Sequence, residues 1–238
     1  MKKKKLWAII AARSGSKGIK DKNIKKFLDV PLLLHSINFA KKLNFVDKIF
    51  FTSDSKKYCD LAIKNGAYVP FYRSKKASSD LAMEEDILQD IKKNLDKEKL
   101  DYPSYILWLR PTTPLRDLSA FKKAFKLFIK KKKSVCIVSK SEPRIFYQKN
   151  GNLKSYLKLF NYRSMVRRQE CPEAYKIFYG EFFEFPKKKN KKFLGNQIKF
   201  IVQDTRCNFD IDYEFQWKNY EKILRSNRKI YEKFLYTN

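Results

Sequence analysis

The segment LWAIIAA, Leu6–Ala12, is a run of apolar residues that leads directly into the loop sequence RSGSKG, Arg13–Gly18. A short apolar run bounded by a Gly/Ser-rich loop predicts a strand, Leu6–Ala11, that is buried on both faces of a sheet. The preceding lysines, Lys2–Lys5, give this region the look of a signal peptide. The apolar run is too short for a signal peptide and enters a loop without a cleavage site, so a buried first strand explains it better.

Apolar strand patterns and helical patterns alternate through the first half of the chain. Strands are predicted at 6–11, 48–52, 68–71, 105–109 and 135–138, and helices at about 32–43, 56–65, 84–94 and 118–130. Gly66 follows the second of these helices as its stop signal. This alternation predicts the α/β class, with a largely parallel central sheet of Rossmann-like type and helices on both faces.

The alternation breaks near residue 140. A hairpin is predicted over 147–156 around Asn150-Gly151, followed by strands at 182–185 and 197–202 and a closing helix from about 214 to 224. The irregular stretch at about 140–190 is expected to be a lid, a dimerisation arm or part of the substrate site. No linker or repeat is visible, so we expect one domain that covers residues 1–238.

The charge of the chain is strongly positive. Its 238 residues carry 54 Lys and Arg against 25 Asp and Glu, a formal net charge of +29, and most of the cations are lysines. A nucleic-acid-binding protein more often concentrates arginine and aromatic side chains on one face. Here the lysines are scattered and the aromatic residues lie inside apolar runs, so we expect no specific nucleic-acid partner. The positive field favours small anionic substrates such as phosphates and carboxylates.

Membrane, metal-cluster and triad chemistry find little support in the sequence. No apolar run approaches the length of a membrane span, so no membrane partner is expected. None of the cysteines, Cys59, Cys136, Cys171 and Cys207, lies in a CxxC pair, and His35 is the single histidine. Zinc binding and a disulfide framework are therefore not expected, and reduced thiols indicate a cytoplasmic protein. His35 stands in an apolar helical stretch and is expected to be packed or on the surface.

The loop after the first strand carries two glycines and three cations, Arg13, Lys17 and Lys22. It matches neither GxGxxG nor GxxxxGK[ST], which excludes the dinucleotide-binding fingerprint and the P-loop. Glycines let backbone N–H groups approach an anion, and the three cations offset its charge. The loop therefore predicts a polyphosphate cradle, with Asn23 available for a sugar hydroxyl; an ordinary solvated basic loop is the alternative.

A second motif, LRPTTPLR, follows the strand at 105–109. Its two prolines stiffen the turn, so Arg110, Thr112 and Thr113 are expected to point to one place. Such a group suits a polyhydroxylated, carboxylated ligand. A rigid connection from strand to helix explains the motif equally well.

The third motif is Asp210-Ile211-Asp212, just before the closing helix. Alternate side chains of an extended segment share a face, so both carboxylates should point outward while Ile211 packs inward. A pair of carboxylates beside phosphates is how Mg²⁺ is commonly held, with waters and substrate oxygens completing its octahedron. A helix cap is the alternative, although it needs only one of the two carboxylates.

Together these motifs closely resemble those of the acylneuraminate cytidylyltransferases, the CMP-sialic acid synthetases. The resemblance is carried by Ala8–Asn23, Pro111–Arg116, Arg168-Gln169 and Asp210–Asp212, which occur in the family's order and roughly at its spacing. It covers nearly the whole chain, and its first motif differs from that of the related Kdo enzymes. The resemblance implies an α/β nucleotide-sugar transferase fold, Mg²⁺ dependence and a homodimer in which part of the middle segment crosses to the partner.

The resemblance also implies a reaction, in which CTP and a nonulosonic acid give a CMP-sugar and pyrophosphate. Carried over by position, the nucleotide-binding residues are Ala11, Ala12, Arg13, Ser16, Lys17, Lys22, Asn23 and Asp80. The sugar-binding residues are Arg110, Thr112, Arg168 and Gln169, and the metal ligands are Asp210 and Asp212. Arg13, Lys17, Lys22 and Asp212 are then expected to serve the chemistry, an in-line attack of the anomeric hydroxyl on the α-phosphate.

The sequence departs from the family at three places. Arg110 stands where many sialic acid enzymes have Gln and is expected to add a full positive charge to the sugar pocket. Ser79–Met83 loses two hydroxyls of the family's pattern, and Phe178–Phe183 replaces an Asn-Gly-Ala-Ile-Tyr run and its tyrosine hydroxyl. Because these changes surround the sugar, CTP is better supported than N-acetylneuraminate as a substrate. Legionaminate, pseudaminate or another nonulosonate, another base, and a non-catalytic relative all stay open.

Overall fold

The computed structural model describes residues 4–163, 165–186 and 192–236. Within these ranges the chain forms ten strands and six α-helices, joined by loops and short 3-10 turns. The strands are β1 (Leu6–Ala11), β2 (Lys26–Phe27), β3 (Val30–Pro31), β4 (Lys48–Thr52), β5 (Tyr105–Leu109), β6 (Val135–Ser141), β7 (Phe146–Lys149), β8 (Asn152–Ser155), β9 (Ala174–Glu184) and β10 (Lys199–Val202). The helices are α1 (Leu32–Lys41), α2 (Lys56–Lys64), α3 (Glu84–Lys97), α4 (Leu118–Lys131), α5 (Glu214–Ser226) and α6 (Arg228–Tyr231).

Six of the strands form the central sheet, in the order β10-β6-β9-β5-β1-β4. β1 pairs parallel with β4 and β5, and β10 pairs parallel with β6. β9 pairs antiparallel with both β5 and β6. The predicted α/β fold with a largely parallel sheet is confirmed, and one strand in the middle of that sheet runs against the other five.

Side chains of β1 alternate between two apolar cores, one on each face of the sheet. Ala8 and Ile10 point to the face covered by α1, α2 and α4. Trp7 and Ile9 point to the other face, where apolar residues of α3 cover them. The strand is buried on both faces, as its unbroken apolar sequence predicts, and helices cover both sides.

A third apolar cluster joins the last part of the chain to the first loop. Ile211 is fully buried in this cluster with Trp217 of α5 and with Ile19, which lies just after the glycine loop. The cluster therefore carries the Asp210-Ile211-Asp212 motif to the end of the sheet where β1 stops. The predicted inward packing of Ile211 is confirmed.

The irregular stretch predicted at about 140–190 divides into two parts. Its hairpin is present as β7 and β8, and Asn150 and Gly151 have φ values of 52° and 76°, as a two-residue type I′ turn requires. The second part is not irregular, because the strand predicted at 182–185 is the longer strand β9 in the middle of the sheet. The strand predicted at 197–202 is present as β10.

Smaller corrections concern residues 68–71 and the helix ends. The predicted strand at 68–71 is wrong, since only a single bridge from Tyr68 to Phe50 forms there, and Pro70 lacks the N–H that a further ladder bond needs. Gly66 ends α2 with a φ of 80°, as predicted. His35 is buried inside the fold, and the four cysteines are free thiols. Among the described residues, no helix has the length and apolar character needed to cross a membrane.

Candidate active site

A cleft of about 630 Å³ opens at the carboxyl ends of β1 and β5. This edge of an open α/β sheet is where such folds bind ligands. Residues of all three sequence motifs line the cleft: Ala11, Ala12, Arg13, Ser16, Lys17, Gly18, Lys22 and Asn23 from the first, Arg110, Pro111 and Thr112 from the second, and Asp212 from the third. Asp80 and Met83 line the cleft as well, so most of the predicted site residues are brought together.

Three predicted site residues lie outside this cleft. Arg168 and Gln169 are exposed in a 3-10 turn on the segment between β8 and β9. Asp210, two residues before Asp212, does not line the cleft. It forms an ion pair with Lys176, with 3.0 Å between Oδ2 and Nζ. Of the carboxylate pair, only Asp212 lines the cleft.

Contacts with three other segments hold the glycine loop in place. The Ser14 backbone N–H and hydroxyl both donate to the Asp54 carboxylate, at 2.9 and 2.8 Å, and lower the pKa of Asp54 although burial acts the other way. The buried Asn23 amide donates to the Arg13 carbonyl at 3.1 Å, so Asn23 shapes the loop in addition to lining the cleft. Gly18 packs on the backbone of Asp212, where a Cβ would lie 2.2 Å from the carbonyl oxygen. Any larger residue at this position would push the first and third motifs apart.

Asp80 pairs with two cations of the loop. Its carboxylate lies 2.7 Å from Nη1 of Arg13 and 2.6 Å from Nζ of Lys17. The hydrogen bond from Lys17 and the charge of Arg13 lower the pKa of Asp80. The two cations predicted to bind phosphates are thus both held by one exposed carboxylate.

Lys22 joins the first motif to the third. Its ammonium group donates to the Ile211 carbonyl at 2.8 Å and to Asp212 Oδ1 at 3.0 Å. The lysine therefore fixes the backbone that carries the carboxylate pair and offsets the charge of Asp212.

The carboxylate pair offers hard oxygen donors of the kind that Mg²⁺ prefers. Asp210 and Asp212 each use one carboxylate oxygen in an ion pair with a lysine. Across the described residues, no group of three or more His, Cys, Asp or Glu side chains is arranged to hold a metal ion. The residues present therefore fit a metal ion that takes part of its coordination from substrate oxygens and water.

Arg110 does not bring an uncompensated positive charge to the cleft, contrary to the sequence-based expectation. Nη1 of Arg110 lies 2.7 Å from Glu181 of β9, and Nη2 lies 2.8 Å from Glu84 at the start of α3. These two carboxylates raise the pKa of Arg110 against the effect of burial, which lowers it. Neither glutamate was predicted as a site residue, because their partner stands far away in the sequence.

The double-proline motif predicted that Thr113 faces the ligand site, but Thr113 does not line the cleft. It is buried, and its hydroxyl donates to the Arg110 carbonyl at 3.1 Å. The wholly buried Arg116 donates to the same carbonyl at 2.7 Å and to Ser36 Oγ at 3.0 Å. Burial lowers the pKa of Arg116 to about 9. Thr113 and Arg116 thus hold the turn that presents Arg110 and Thr112.

Arg73 is a site residue that the sequence did not reveal. Arg73 is only 5% exposed and lines the cleft. Its Nε donates a hydrogen bond to Ser78 Oγ at 2.9 Å. Its Nη2 is buried and has no hydrogen-bond partner among the described residues. Burial lowers the pKa of Arg73, and the carboxylates of Asp54 and Asp90 oppose this. Nothing in the sequence around Arg73, which lies two residues beyond the predicted strand at 68–71, marks it as a cleft residue.

A family model described as cytidylyltransferase matches residues 7–234. The chain belongs to the cytidylyltransferase family. It is therefore an enzyme of nucleotide transfer, and the family resemblance carried by the motifs is confirmed.

The relatives of this cytidylyltransferase include enzymes named for pseudaminic and legionaminic acids. The pseudaminic acid cytidylyltransferase of Campylobacter jejuni is 31% identical over 171 residues, which span 70% of this chain and 72% of the relative. The CMP-N,N′-diacetyllegionaminic acid synthase of Legionella pneumophila is 27% identical over 236 residues, 94% of this chain and 98% of the relative. Among solved structures, a CMP:2-keto-3-deoxy-manno-octonic acid synthetase complexed with CTP has a TM-score of 0.67 at 11% identity, covering 93% of this chain and 99% of that one. That likeness shows the shared fold.

Proposed function

We propose that this cytidylyltransferase transfers CMP from CTP to the anomeric hydroxyl of a nonulosonic acid and releases pyrophosphate. The observation that carries the proposal is the convergence of all three motifs on one cleft at the carboxyl ends of β1 and β5. Two relatives that match most of the chain are named for pseudaminic and legionaminic acids. Both names support a nonulosonic acid as the acceptor.

The nucleotide occupies the loop side of the cleft, by which we mean Arg13, Ser16, Lys17, Lys22 and Arg73. Arg13 and Lys17 neutralise the triphosphate after it displaces Asp80, because a carboxylate and a polyphosphate compete for the same cations. Arg73 supplies a buried guanidinium whose Nη2 has no hydrogen-bond partner among the described residues. This group can donate a hydrogen bond to a carbonyl or phosphate oxygen of CTP. The backbone at Ala11 and Ala12 borders the same space.

The chemistry is positioning and electrostatic stabilisation. The sugar's anomeric hydroxyl attacks the α-phosphorus and gives up its proton to water, the bond from that phosphorus to the bridging oxygen breaks, and pyrophosphate leaves with the electron pair. Arg13, Lys17 and Lys22 face the triphosphate, where they stabilise the negative charge that grows on the leaving group. The rigid turn at Arg110–Thr113 places the sugar opposite the nucleotide.

Mg²⁺ is the proposed cofactor, and its protein ligands would be Asp212, which lines the cleft, and Asp210, which lies outside it. When bound, the ion supplies Lewis-acid stabilisation of phosphate oxygens. Lys22 keeps the carboxylate of Asp212 in place by a hydrogen bond to its Oδ1.

We further propose that the enzyme is a cytoplasmic homodimer and that the segment between β6 and β9 reaches the partner protomer. The β7–β8 hairpin exposes Phe146, Leu153 and Tyr156, which gain burial against a second copy of the chain. Arg168 and Gln169 lie on the same segment, so the dimer would allow them to reach the sugar side of the partner's cleft. Sedimentation velocity tests this proposal, since the substitutions Leu153→Ser and Tyr156→Ser should give a monomer.

The enzymatic proposal is tested by measuring pyrophosphate release with Mg²⁺ and each of CTP, UTP, ATP and GTP against a panel of nonulosonic acids. We expect release with CTP and with at least one sugar acid, and formation of the matching CMP-sugar. Faster release with another nucleotide than with CTP would refute the proposal that CTP is the nucleotide substrate. If calorimetry shows that the folded protein binds CTP but the protein turns over none of the sugar acids, the proposal that a nonulosonic acid is the acceptor is refuted.

A further inference from the structure

Three charged side chains form a connected array on the side of the cleft opposite the loop. Arg110 lies between Glu84 and Glu181, with N–O distances of 2.8 and 2.7 Å. Exposure falls across the array, from 26% for the Glu84 side chain to 18% for Arg110 and 1% for Glu181. We call the residues Glu84, Ile87, Trp108 and Arg110 the Arg110 side of the cleft.

The array is held rigidly from several directions. Glu181 lies in the middle of the sheet, paired directly with Trp108 of β5 and Cys136 of β6. Arg116 fixes the backbone of Arg110 by a 2.7 Å hydrogen bond to its carbonyl. Glu84 is the first residue of α3, where the helix dipole stabilises a carboxylate. Charge-assisted hydrogen bonds at both ends of the guanidinium give it one orientation.

The charge of the array decides what it can recognise. One guanidinium faces two carboxylates, so the array presents no net positive charge and does not serve as the main binding group for the substrate's carboxylate. Burial raises the pKa of Glu181, and the guanidinium of Arg110 opposes this. Glu84 and Arg110 both line the cleft, Glu84 is the more exposed of the two, and its hydrogen bond to Arg110 uses only Oε1.

The neighbours of Glu84 restrict the chemistry further. Ile87 and Trp108 line the cleft with it, and Ile87, three residues further along α3, is the less buried of the two and offers apolar surface. A substituent that meets both the carboxylate and this surface has a hydrogen-bond donor next to an apolar group. An acylamino group has both features in its N–H and its methyl, whereas a hydroxyl and a free amine lack the apolar part.

We propose that Glu84 is a specificity residue that accepts a hydrogen bond from the N–H of an acylamino substituent on the sugar acid. Arg110 and Glu181 are positioning residues: Arg110 fixes the Glu84 carboxylate and offsets its charge, and Glu181 holds the guanidinium of Arg110. This inference rests on the proposed function, since it assigns the sugar to the Arg110 side. It names the feature of the substrate that this chain selects.

The test compares sugar acids that differ at one carbon, where they carry an acetamido group, a free amine or a hydroxyl. The parent compounds are N-acetylneuraminate and the diacetylated diamino sugar acids of the legionaminate and pseudaminate types. For the wild-type enzyme we expect kcat/KM to favour the acetamido compound over both analogues by about tenfold or more. Preference for the amine, or equal use of all three, would overturn the inference.

The variant Glu84→Gln keeps the size of the side chain and replaces one carboxylate oxygen by an NH₂ group. We expect it to raise KM for the acetamido sugar by about tenfold and to reduce the preference over the hydroxyl analogue. KM for CTP should change by less than about twofold, because a hydrogen bond to the sugar is lost and the nucleotide side is untouched. Equal effects on both substrates would overturn the specificity role.

Arg110→Gln alone leaves the buried Glu181 without its partner and endangers the fold, so the positioning role is tested with Arg110→Gln/Glu181→Gln. We expect this double variant to be folded, with a raised KM for the sugar, a weakened acetamido preference and an unchanged KM for CTP. Asp29→Asn is the matched control, because Asp29 is an arginine-paired carboxylate remote from the cleft. It should leave all constants unchanged.

The outcomes separate the inference from the proposed function. If CMP-sugar forms and both array variants keep the wild-type preference, the inference fails and the function stands. If the wild-type protein binds CTP by calorimetry but neither binds nor converts any sugar acid, both fail.

Discussion

The two sides of the cleft hold their arginines in opposite ways. On the loop side, Arg13 is paired with Asp80, whose side chain is 44% exposed and lies on an irregular segment. On the Arg110 side, Arg110 is paired with Glu181, which is 1% exposed and lies in the middle strand of the sheet. The first pair can open at little cost, since exposed ion pairs contribute at most about 1 kcal/mol. Breaking the second leaves a buried charge and costs several times as much, roughly 3–5 kcal/mol.

This difference separates two kinds of recognition. A triphosphate carries enough charge to take Arg13 and Lys17 away from Asp80, so the loop side binds by charge. Arg110 cannot leave Glu181, so the other side binds by a fixed pattern of donors and acceptors. A nucleotidyl transfer needs both, because CTP must be drawn in as a polyanion while sugar acids that differ in one substituent must be told apart.

The largest effect is expected from the carboxylate between the two sides. We expect Asp212→Asn to lower kcat by about a thousandfold, since the amide is a poor Mg²⁺ ligand and a poor partner for Lys22. Thermal unfolding should show a folded protein. Asp210→Asn is the comparison variant and should have a clearly smaller effect, because Asp210 lies outside the cleft and contacts Lys176. Near wild-type turnover by Asp212→Asn would remove the metal assignment.

Arg13→Ala tests the charge-based side directly. We expect KM for CTP to rise by about 10- to 100-fold through loss of a charge-assisted contact to the triphosphate, while KM for the sugar changes little. Steady-state kinetics with each substrate varied in turn measures both constants. Parallel losses for the two substrates would show that the sides of the cleft are not independent.

Ionic strength should distinguish the two sides without any substitution. Raising NaCl from about 0.05 to about 0.5 M shortens the Debye length severalfold, so we expect KM for CTP to rise by about tenfold. The sugar acid has a single charge and meets a compensated array, so its KM should change by about twofold or less. A protein melting curve at each salt concentration is the control. Equal salt dependence of both constants would contradict recognition by a fixed pattern on the Arg110 side.

The sequence predicted the loop side better than the Arg110 side, and the reason is local. The run Leu6–Gly18 contains the strand, its end and its cations in one continuous stretch, so its structure follows from neighbouring residues. Arg110 was identified as a cleft residue, but its charge was assigned wrongly because Glu84 and Glu181 come from distant segments. Their contact depends on β9 lying antiparallel between β5 and β6, an order that strand and helix alternation does not reveal.

Two further residues show the same limit. Thr113 was expected to face the ligand because prolines flank it, yet the buried Arg116 draws its hydroxyl into the core. Arg73 was not predicted because it lies just beyond the segment 68–71 that was expected to be a strand, and its place in the cleft depends on contacts with Ser53 and Ser78. In both cases the direction of the side chain was set by a partner elsewhere in the fold.

The smallest effect is expected at Asp80, and its sign decides how the loop side works. If Asp80 holds Arg13 and Lys17 until the triphosphate displaces it, Asp80→Asn removes a competitor and should tighten CTP binding by about two- to fivefold at low ionic strength. Calorimetry with CTP and with inorganic triphosphate measures this, and Asp60→Asn, an exposed lysine-paired carboxylate on α2, is the control. Weaker binding would instead mean that Asp80 contacts the nucleotide itself, as the family resemblance implies. A gain in affinity for both ligands places the competition at the phosphates, whereas a gain for CTP alone places it at the nucleoside.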